Sequence, residues 1–328
     1  MLPPWLKTKL PSGENYERIK ALLSQHKLHT VCEEARCPNV AECWGGGTAT
    51  FMVLGDTCTR GCRFCSVASA LRLPEPDSQE PTHLAQTIAD LQLDYVVITT
   101  VCRDDLPDQG ALHIARCVRE VLDLNPKLLL EILIQDFRGD KKLLSMVVNA
   151  NAHATARGLE SRTGTADEDP QASPGPRPTV VAHNLETVER LTPLVRDRRA
   201  TYRQSLEVLR TLKDIRPEVK TKSSLMLGLG ETEDELESAF RDLRRAGVDI
   251  LTLGQYLRPS SEPRHLSVHR FVPPQEFNLY GDVARDMGFL YVASGPFVRS
   301  SYRAGELFLK GLLTQAPNHY TLGGTPCR

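Results

Sequence analysis

The sequence predicts an α/β protein, an incomplete parallel (β/α)6 barrel with a cysteine-bearing extension in front of it. Three observations predict it. From residue 51 onward, short runs rich in β-branched and apolar residues alternate with longer amphipathic runs, which is the pattern of parallel βαβ units. There are six such short runs, fewer than the eight strands that close a full barrel. The densest group of candidate ligands directly follows the first run, at the carboxyl end where parallel α/β folds carry their chemistry.

Residues 1–50 form the extension, with little periodicity beyond one short helix at 14–24. The barrel is assigned to residues 51–310. Its strand candidates are 51–54, 95–100, 128–134, 179–182, 221–227 and 250–256, and its helix candidates are 81–93, 111–124, 141–149, 202–215 and 232–246. Thr232 with Glu235 reads as a capping-box start for the last helix, and Gly247 as its stop. Residues 154–178 are rich in Pro, Gly, Ser and charge and carry almost no large apolar group, so burial cannot offset their ordering entropy. They are expected to form a disordered insertion before the fourth strand, and residues 311–328 a flexible tail.

Composition excludes several classes. Lys+Arg 40 against Asp+Glu 41 leaves a net charge of -1, so bulk attraction to nucleic acid or to an anionic membrane is not expected. No apolar run approaches the roughly 18 residues of a membrane helix. The most apolar stretch, 128–134, is itself broken by Glu131. The first residues show neither a basic stretch followed by an apolar one nor a small-residue cleavage site, which argues against secretion.

Of the 9 cysteines, Cys32, Cys37, Cys43, Cys58, Cys62 and Cys65 fall within 34 residues, where uniform scatter would put about one. The long chain, the odd cysteine count and the lack of a secretory signal point to metal ligation in a reducing compartment rather than to disulfides. The six make two triads, Cys32-x4-Cys37-x5-Cys43 and Cys58-Thr-Arg-Gly-Cys62-Arg-Phe-Cys65. Structural zinc normally closes its tetrahedron with four protein ligands, so a triad leaves one position open. The tight second triad can wrap three corners of a four-iron cubane, with Gly61 permitting close backbone approach. Spacing favours iron–sulfur there and leaves iron–sulfur and zinc level on the first triad. Cys102, Cys117 and Cys327 read as ordinary, Cys117 as a small core hydrophobe beside Ile114 and Val118.

The second triad, Cys-x3-Cys-x-Phe-Cys after a first barrel strand, resembles the signature of radical S-adenosylmethionine enzymes. The additional triad in Val31-Cys-Glu-Glu-Ala-Arg-Cys-Pro-Asn-Val-Ala-Glu-Cys-Trp-Gly-Gly46, with Arg299-Ser-Ser-Tyr302 near the end, resembles the lipoyl synthase family specifically. The likeness spans roughly residues 4–309 and includes Asp136-Phe-Arg-Gly-Asp140, Ala182-His-Asn-Leu-Glu-Thr-Val188, Met226-Leu-Gly-Leu-Gly-Glu231, Leu253-Gly-Gln-Tyr256 and Ser294-Gly-Pro-Phe-Val-Arg299. The resemblance implies a partial barrel of the radical S-adenosylmethionine type, two [4Fe-4S] clusters and S-adenosyl-L-methionine. It implies that Cys58, Cys62 and Cys65 hold the radical-generating cluster. Cys32, Cys37, Cys43 and Ser301 would hold an auxiliary cluster that donates sulfur. The implied reaction inserts sulfur at carbons six and eight of an octanoyl chain on a carrier lysine. Those carbons are unactivated, so a radical carried by the cofactor must open them.

By the same resemblance, Gly228 and Gly230 are expected to approach the adenosyl group; read without it, they form a strand-to-helix turn before Thr232. Asn184, Glu186 and Gln255 lie near strand ends and are candidates for cofactor contact. His183 reads as a structural histidine. The run Arg196-Asp-Arg-Arg199, with Arg203, reads as a solvated face, or as a charged dock for the carrier. The implied partners are octanoylated lipoyl carrier domains (2-oxoacid dehydrogenase acyltransferase subunits and the glycine cleavage H protein) and a low-potential electron donor such as ferredoxin or flavodoxin. The insertion and the Leu28-His-Thr-Val-Cys-Glu-Glu34 context favour a mitochondrial location, with the cytoplasm as the bacterial alternative. Three features depart from the family pattern: Cys102 where an acidic residue usually precedes Arg-Asp-Asp, Gln135 where a proline usually stands, and the 154–178 insertion. The competing readings are another radical sulfur-inserting enzyme and a non-catalytic iron–sulfur or zinc protein, which iron and sulfide content separates.

Overall fold

A computed structural model describes residues 3–6, 13–26, 28–34, 37–45, 49–93, 95–150 and 177–301. The expected insertion, apart from Arg177 and Pro178, lies outside these residues, as do the expected tail, Tyr302 and Cys327. In chain order, the extension carries helix α1 (Glu14–His26), strand β1 (His29–Thr30) and short helices α2 (Val31–Glu34) and α3 (Val40–Gly45). The barrel begins with β2 (Thr50–Val53), the small pair β3 (Thr57–Cys58) and β4 (Ala68–Ser69), α4 (Glu80–Leu91), β5 (Tyr95–Thr100), α5 (Ala111–Leu124), β6 (Leu129–Leu133) and α6 (Lys141–Val148). It continues with β7 (Val180–Ala182), α7 (Thr192–Val195), α8 (Tyr202–Ile215), β8 (Lys220–Leu227), α9 (Glu233–Arg245), β9 (Ile250–Gln255), α10 (Pro274–Asp286) and β10 (Tyr291–Gly295).

Among the described residues the main sheet runs β1-β2-β5-β6-β7-β8-β9-β10. Every neighbouring pair is parallel except β1 with β2, where His29 stands opposite Met52. All six predicted strands form, within a residue or two of their expected ends. The sequence reading missed β10 and α10, which add a seventh parallel strand, and the two-residue β1. Those segments give weak signals, because Tyr291–Gly295 is short and small-residued and Pro274–Asp286 is largely polar. Strands β5 and β9 are buried on both faces, as expected for parallel strands covered by helices, and so read as near-continuous apolar runs.

Helix α9 shows how the periodic signal works. Its buried residues Leu236, Ala239, Phe240 and Leu243 recur at three- and four-residue spacing and turn one face to the core. Thr232 and Glu235 cap it reciprocally, and Gly247 ends it in the left-handed region at φ 82°. The extension is not a separate body. Ile19, Leu23 and Trp44 belong to the same continuous core as Phe51, Ile88 and Leu130.

Glu131, which interrupts the most apolar stretch, has a structural partner. Lys222 Nζ donates to Glu131 Oε1 at 2.8 Å and Oε2 at 2.9 Å, Tyr95 donates its hydroxyl to the same carboxylate, and both charged side chains are almost wholly buried. Removing one partner strands the other charge in the interior. Lys222→Met is expected to lower stability by roughly 3–5 kcal/mol, and Lys222→Met with Glu131→Leu to recover most of that loss. Denaturant unfolding measures both, and equal losses in the single and double variants would contradict the pairing argument.

Candidate functional site

The loop bearing the second triad begins where β2 ends. Leu54 takes φ 72°, and its N–H donates to Glu80 Oε2 at 2.9 Å; that carboxylate also meets His113 Nε2 at 2.6 Å, with Cys117 alongside. The neck of the loop is closed by β3 against β4, with Cys58 opposite Ser69 and Ala70 N–H donating to the Cys58 carbonyl. Within the loop, Arg60 is buried and clamped from two sides. It donates to Asp104 at 2.8 and 2.9 Å and to Asp136 at 2.5 and 2.9 Å, which ties the loop to the ends of β5 and β6. Burial works against both carboxylates being charged, yet the Arg60 guanidinium prevails, holding Asp104 down at about 2 and Asp136 below its ordinary range.

The far side of the loop is held by the segment after α7. Asp197 N–H donates to Cys62 Sγ at 3.3 Å, its carboxylate accepts the Gly61 N–H, and Arg199 donates both to Asp197 and to the Thr59 carbonyl. This corrects the solvated-face reading of the arginine run. Arg196 is buried and donates to Ser205 Oγ at 2.7 Å, so within this segment only Arg198 and the more distant Arg203 could serve a surface role; the Arg203 side chain is 84% exposed. Cys102 is also more than ordinary: its N–H donates to Cys58 Sγ at 3.3 Å.

The first triad sits beside the end of the barrel. Cys32 lies in α2, buried, with a hydrogen bond from the Thr50 backbone; Cys37 N–H donates to the Cys32 carbonyl, and Cys43, in α3, donates its N–H to the carbonyl of Asn39, just before that helix. Asn39 Nδ2 donates to the Phe297 carbonyl at 2.6 Å and so joins this segment to the chain following β10. That chain lies flat against β9, because a Cβ on Gly254 would stand 2.0 Å from the Val298 carbonyl oxygen. Ser300 and Ser301, which follow, line the same cavity as Cys37.

The result is one cavity of about 660 Å³ at the carboxyl ends of the strands. Cys58, Cys62 and Cys65 line it, as do Cys37 and Ser301, together with Asn184 and Glu186 near the strand ends. Asn184 Nδ2 donates to Glu186 Oε1 at 3.1 Å, while Asn184 Oδ1 is buried with no protein partner among the described residues. Burial pushes the Glu186 carboxyl up.

Gly228 and Gly230 are not among the cavity's lining residues. Gly228 is needed for packing: at φ 96°, a Cβ there would lie 2.4 Å from the Arg270 carbonyl and from Gln255 Nε2. Gln255 does face the cavity. Its amide, however, donates to the backbone of Leu227, Tyr256 and Arg270, and its carbonyl accepts the Val272 N–H, so it acts as a backbone clip.

His183 is fully hydrogen-bonded, through Nδ1 to the Ile134 carbonyl and Nε2 to Ser205, in keeping with a structural role. Burial, with the Arg196 charge beside it, pushes its pKa down to about 4, below the ordinary 6.5. A depressed folded-state value means that the unfolded chain takes up the proton first. The stability held by neutral His183 is therefore complete above about pH 6.5 and is lost as pH falls toward 4. Denaturation midpoints at pH 7.5 and 5 are expected to show this fall, and His183→Gln to flatten it.

The donor set fits iron–sulfur groups on three counts. Each second-triad sulfur receives a backbone N–H: Cys58 from Arg60 and Cys102, Cys62 from Asp197, and Cys65 from Val67. Such bonds are among the features that set the potential of cluster thiolates. Burial nonetheless pushes the free thiols up, Cys62 to about 11, Cys65 to about 12 and Cys32 to about 11, while the hydrogen bond from the Cys102 thiol brings Cys58 down to about 6. Among the described residues, the group with ligand atoms all within 4.8 Å of one another is Glu80, His113 and Cys117, not either triad. A tetrahedral zinc would draw sulfurs to about 3.8 Å from one another, whereas the corners of a cubane stand farther apart.

Arg299 supplies the third count. Its Nη1 donates to the Pro296 and Val298 carbonyls, while Nη2 is buried with no partner among the described residues. Burial pulls its pKa down and Cys37 pulls it up. An uncompensated guanidinium beside Cys37 suits an anionic group bound to the first triad.

An open parallel barrel with Cys-x3-Cys-x2-Cys on the loop after its first parallel strand defines the radical S-adenosylmethionine class of enzyme. The model for the N-terminal domain of lipoyl synthase of the radical SAM family matches residues 1–37. The lipoyl synthase of Myxococcus xanthus is 55% identical over 95% of this chain and 95% of its own length, and the mitochondrial lipoyl synthase of Aedes aegypti is 52% identical over 95% and 74%. The chain belongs to the lipoyl synthase family. The hydrogenase maturase HydG of Carboxydothermus hydrogenoformans, 10% identical, shares the fold with a TM-score of 0.50 over 81% of this chain and 67% of that one.

Proposed function

We propose that this enzyme inserts two sulfur atoms, at carbons six and eight, into the octanoyl chain of an octanoyl-lysine on a lipoyl carrier domain. The observation that carries the reading is the single cavity lined by the second triad, by Cys37 and by Ser301. A radical formed at the second triad and sulfur held at the first then share one cavity, so an alkyl chain entering it meets both without leaving. Residues 1–50 bear the cysteine ligands of the sulfur source, and the barrel is assigned to residues 51–310, which also supply Ser301.

In this reading Cys58, Cys62 and Cys65 hold one [4Fe-4S] cluster, and Cys32, Cys37, Cys43 and Ser301 hold a second. When bound, the first, with S-adenosyl-L-methionine, supplies a 5′-deoxyadenosyl radical, and the second supplies the two sulfurs. The chain does the rest. The Arg60 clamp and Asp197 keep the second-triad loop in shape before loading. Asn184 offers its free carbonyl oxygen to a cofactor donor, and Glu186 stands next to it. Arg299 balances the negative charge at the first triad, and the Ser301 hydroxyl is a harder ligand that leaves more readily than a thiolate.

No helix among the described residues is long and apolar enough to cross a membrane. The carriers are the acyltransferase subunits of 2-oxoacid dehydrogenases and the glycine cleavage H protein, and the electron source is a ferredoxin or flavodoxin. The location is mitochondrial in a eukaryotic source, as in the names of the insect relatives, and cytoplasmic in a bacterial one. Anaerobic incubation with S-adenosyl-L-methionine, a low-potential reductant and an octanoyl-lysyl carrier is expected to raise the carrier's mass by two sulfurs. An unchanged carrier, with deoxyadenosine released, would overturn the substrate assignment.

A further inference from the structure

Cys102 has no part in the proposed function, yet it stands against a proposed cluster ligand. It follows β5. Its carbonyl accepts the Thr59 N–H and the Thr59 hydroxyl, each at 2.9 Å, which fixes the chain just after Cys58 beside it. Its own N–H donates to Cys58 Sγ at 3.3 Å, and its thiol hydrogen-bonds the same sulfur. Both residues line the main cavity, so a small oxidant that enters reaches the pair. Cys62 and Cys65 are turned to other donors, the backbones of Asp197 and Val67. An acidic side chain, usual at this position in the family, cannot form a disulfide.

We infer that Cys102 is a resolving thiol for Cys58: after an oxidant of the peroxide class strips the cluster, the two cysteines close a disulfide that protects Cys58 from irreversible oxidation. The balance is complete. The Cys58 sulfur attacks one peroxide oxygen, the O–O bond breaks, and a sulfenic acid and one water result. The Cys102 thiol then attacks that sulfur, the S–O bond breaks, and the hydroxyl leaves with the thiol proton as a second water. The two thiols lose two electrons and the peroxide gains them. A thiol reductant reverses the link, whereas a sulfinic acid on Cys58 is beyond its reach. The link depends on the cysteine pair alone, while its consequence for the cluster rests on the reading of Cys58 as a ligand.

The test uses the full chain loaded with iron and sulfide, exposed to hydrogen peroxide, alkylated and digested without reductant. Trypsin cutting after Arg60, Arg63, Arg72 and Arg103 puts Cys58, Cys62, Cys65 and Cys102 on four different peptides, and fragmentation separates Cys58 from Cys37 and Cys43. The Cys58–Cys102 link is expected as the principal cross-link in the parent and absent in Cys102→Ser. In that variant, and in Cys102→Asp, sulfinic acid on Cys58 is expected to rise several-fold, and iron regained after thiol reduction and reloading to fall at least about twofold. Alkylated Cys102 with Cys58 joined to Cys62 or Cys65, or equal iron recovery in parent and variants, would overturn the inference. Iron in the parent before peroxide reports separately on the ligand reading: a chain that never loads the second triad but still forms the link defeats that reading alone.

Discussion

Replacing Cys58, Cys62 and Cys65 together with alanine is expected to abolish both 5′-deoxyadenosine release and sulfur insertion, while the same replacement of Cys32, Cys37 and Cys43 abolishes insertion and leaves deoxyadenosine release measurable. The asymmetry follows from position. The second triad closes the loop at the mouth of the barrel, clamped by Arg60 and Asp197, and radical generation has no other ligands there. The first triad's segment is fastened to the chain after β10 through Asn39 and Phe297, and its sulfurs take no part in the Arg60 clamp. Cys32 is buried in the shared core, so its loss also removes some packing. Thermal unfolding of both variants is the needed companion measurement. Equal loss of deoxyadenosine in two folded variants would refute the division of roles.

The second large effect has opposite signs in two measurements. Arg299→Met removes a buried guanidinium whose Nη2 has no partner among the described residues, so the cluster-free chain is expected to be at least as stable as the parent. The same change takes away the positive charge beside Cys37, and iron after anaerobic reconstitution is expected to fall from about eight per chain toward about four. Ser301→Ala is expected to leave the fold intact and to slow or end sulfur insertion, with Ser300→Ala milder. A destabilised Arg299→Met chain that still holds about eight irons would mean that Arg299 serves the fold and not the group bound there.

The parts legible in the sequence were those that a local pattern encodes. Six strands, the helices between them and the cap of α9 follow from periodicity and from Thr232, Glu235 and Gly247. The two triads followed from cysteine density, and the meaning of Arg299-Ser-Ser-Tyr302 only from the family likeness. What escaped were contacts between distant segments. Nothing near Arg60 in sequence announces Asp104 and Asp136, and a run of arginines looks the same whether it faces water or, like Arg196, is buried against Ser205. Nor does the sequence around the two glycines after β8 announce the Arg270 backbone, which fills the space beside Gly228. Strand β10 was too short and too small in its side chains to stand out from a loop.

The central claim is that sulfur leaves a cluster held by this chain and enters an alkyl chain within one cavity. The most direct test is a single turnover of enzyme reconstituted with isotopically heavy sulfide, freed of loose sulfide and given an octanoyl-lysyl carrier, S-adenosyl-L-methionine and reductant. Mass spectrometry of the carrier is expected to find two heavy sulfurs in each product, and none when Cys32, Cys37 and Cys43 are replaced. Product carrying unlabelled sulfur, or heavy product from the variant lacking the first triad, would contradict the account.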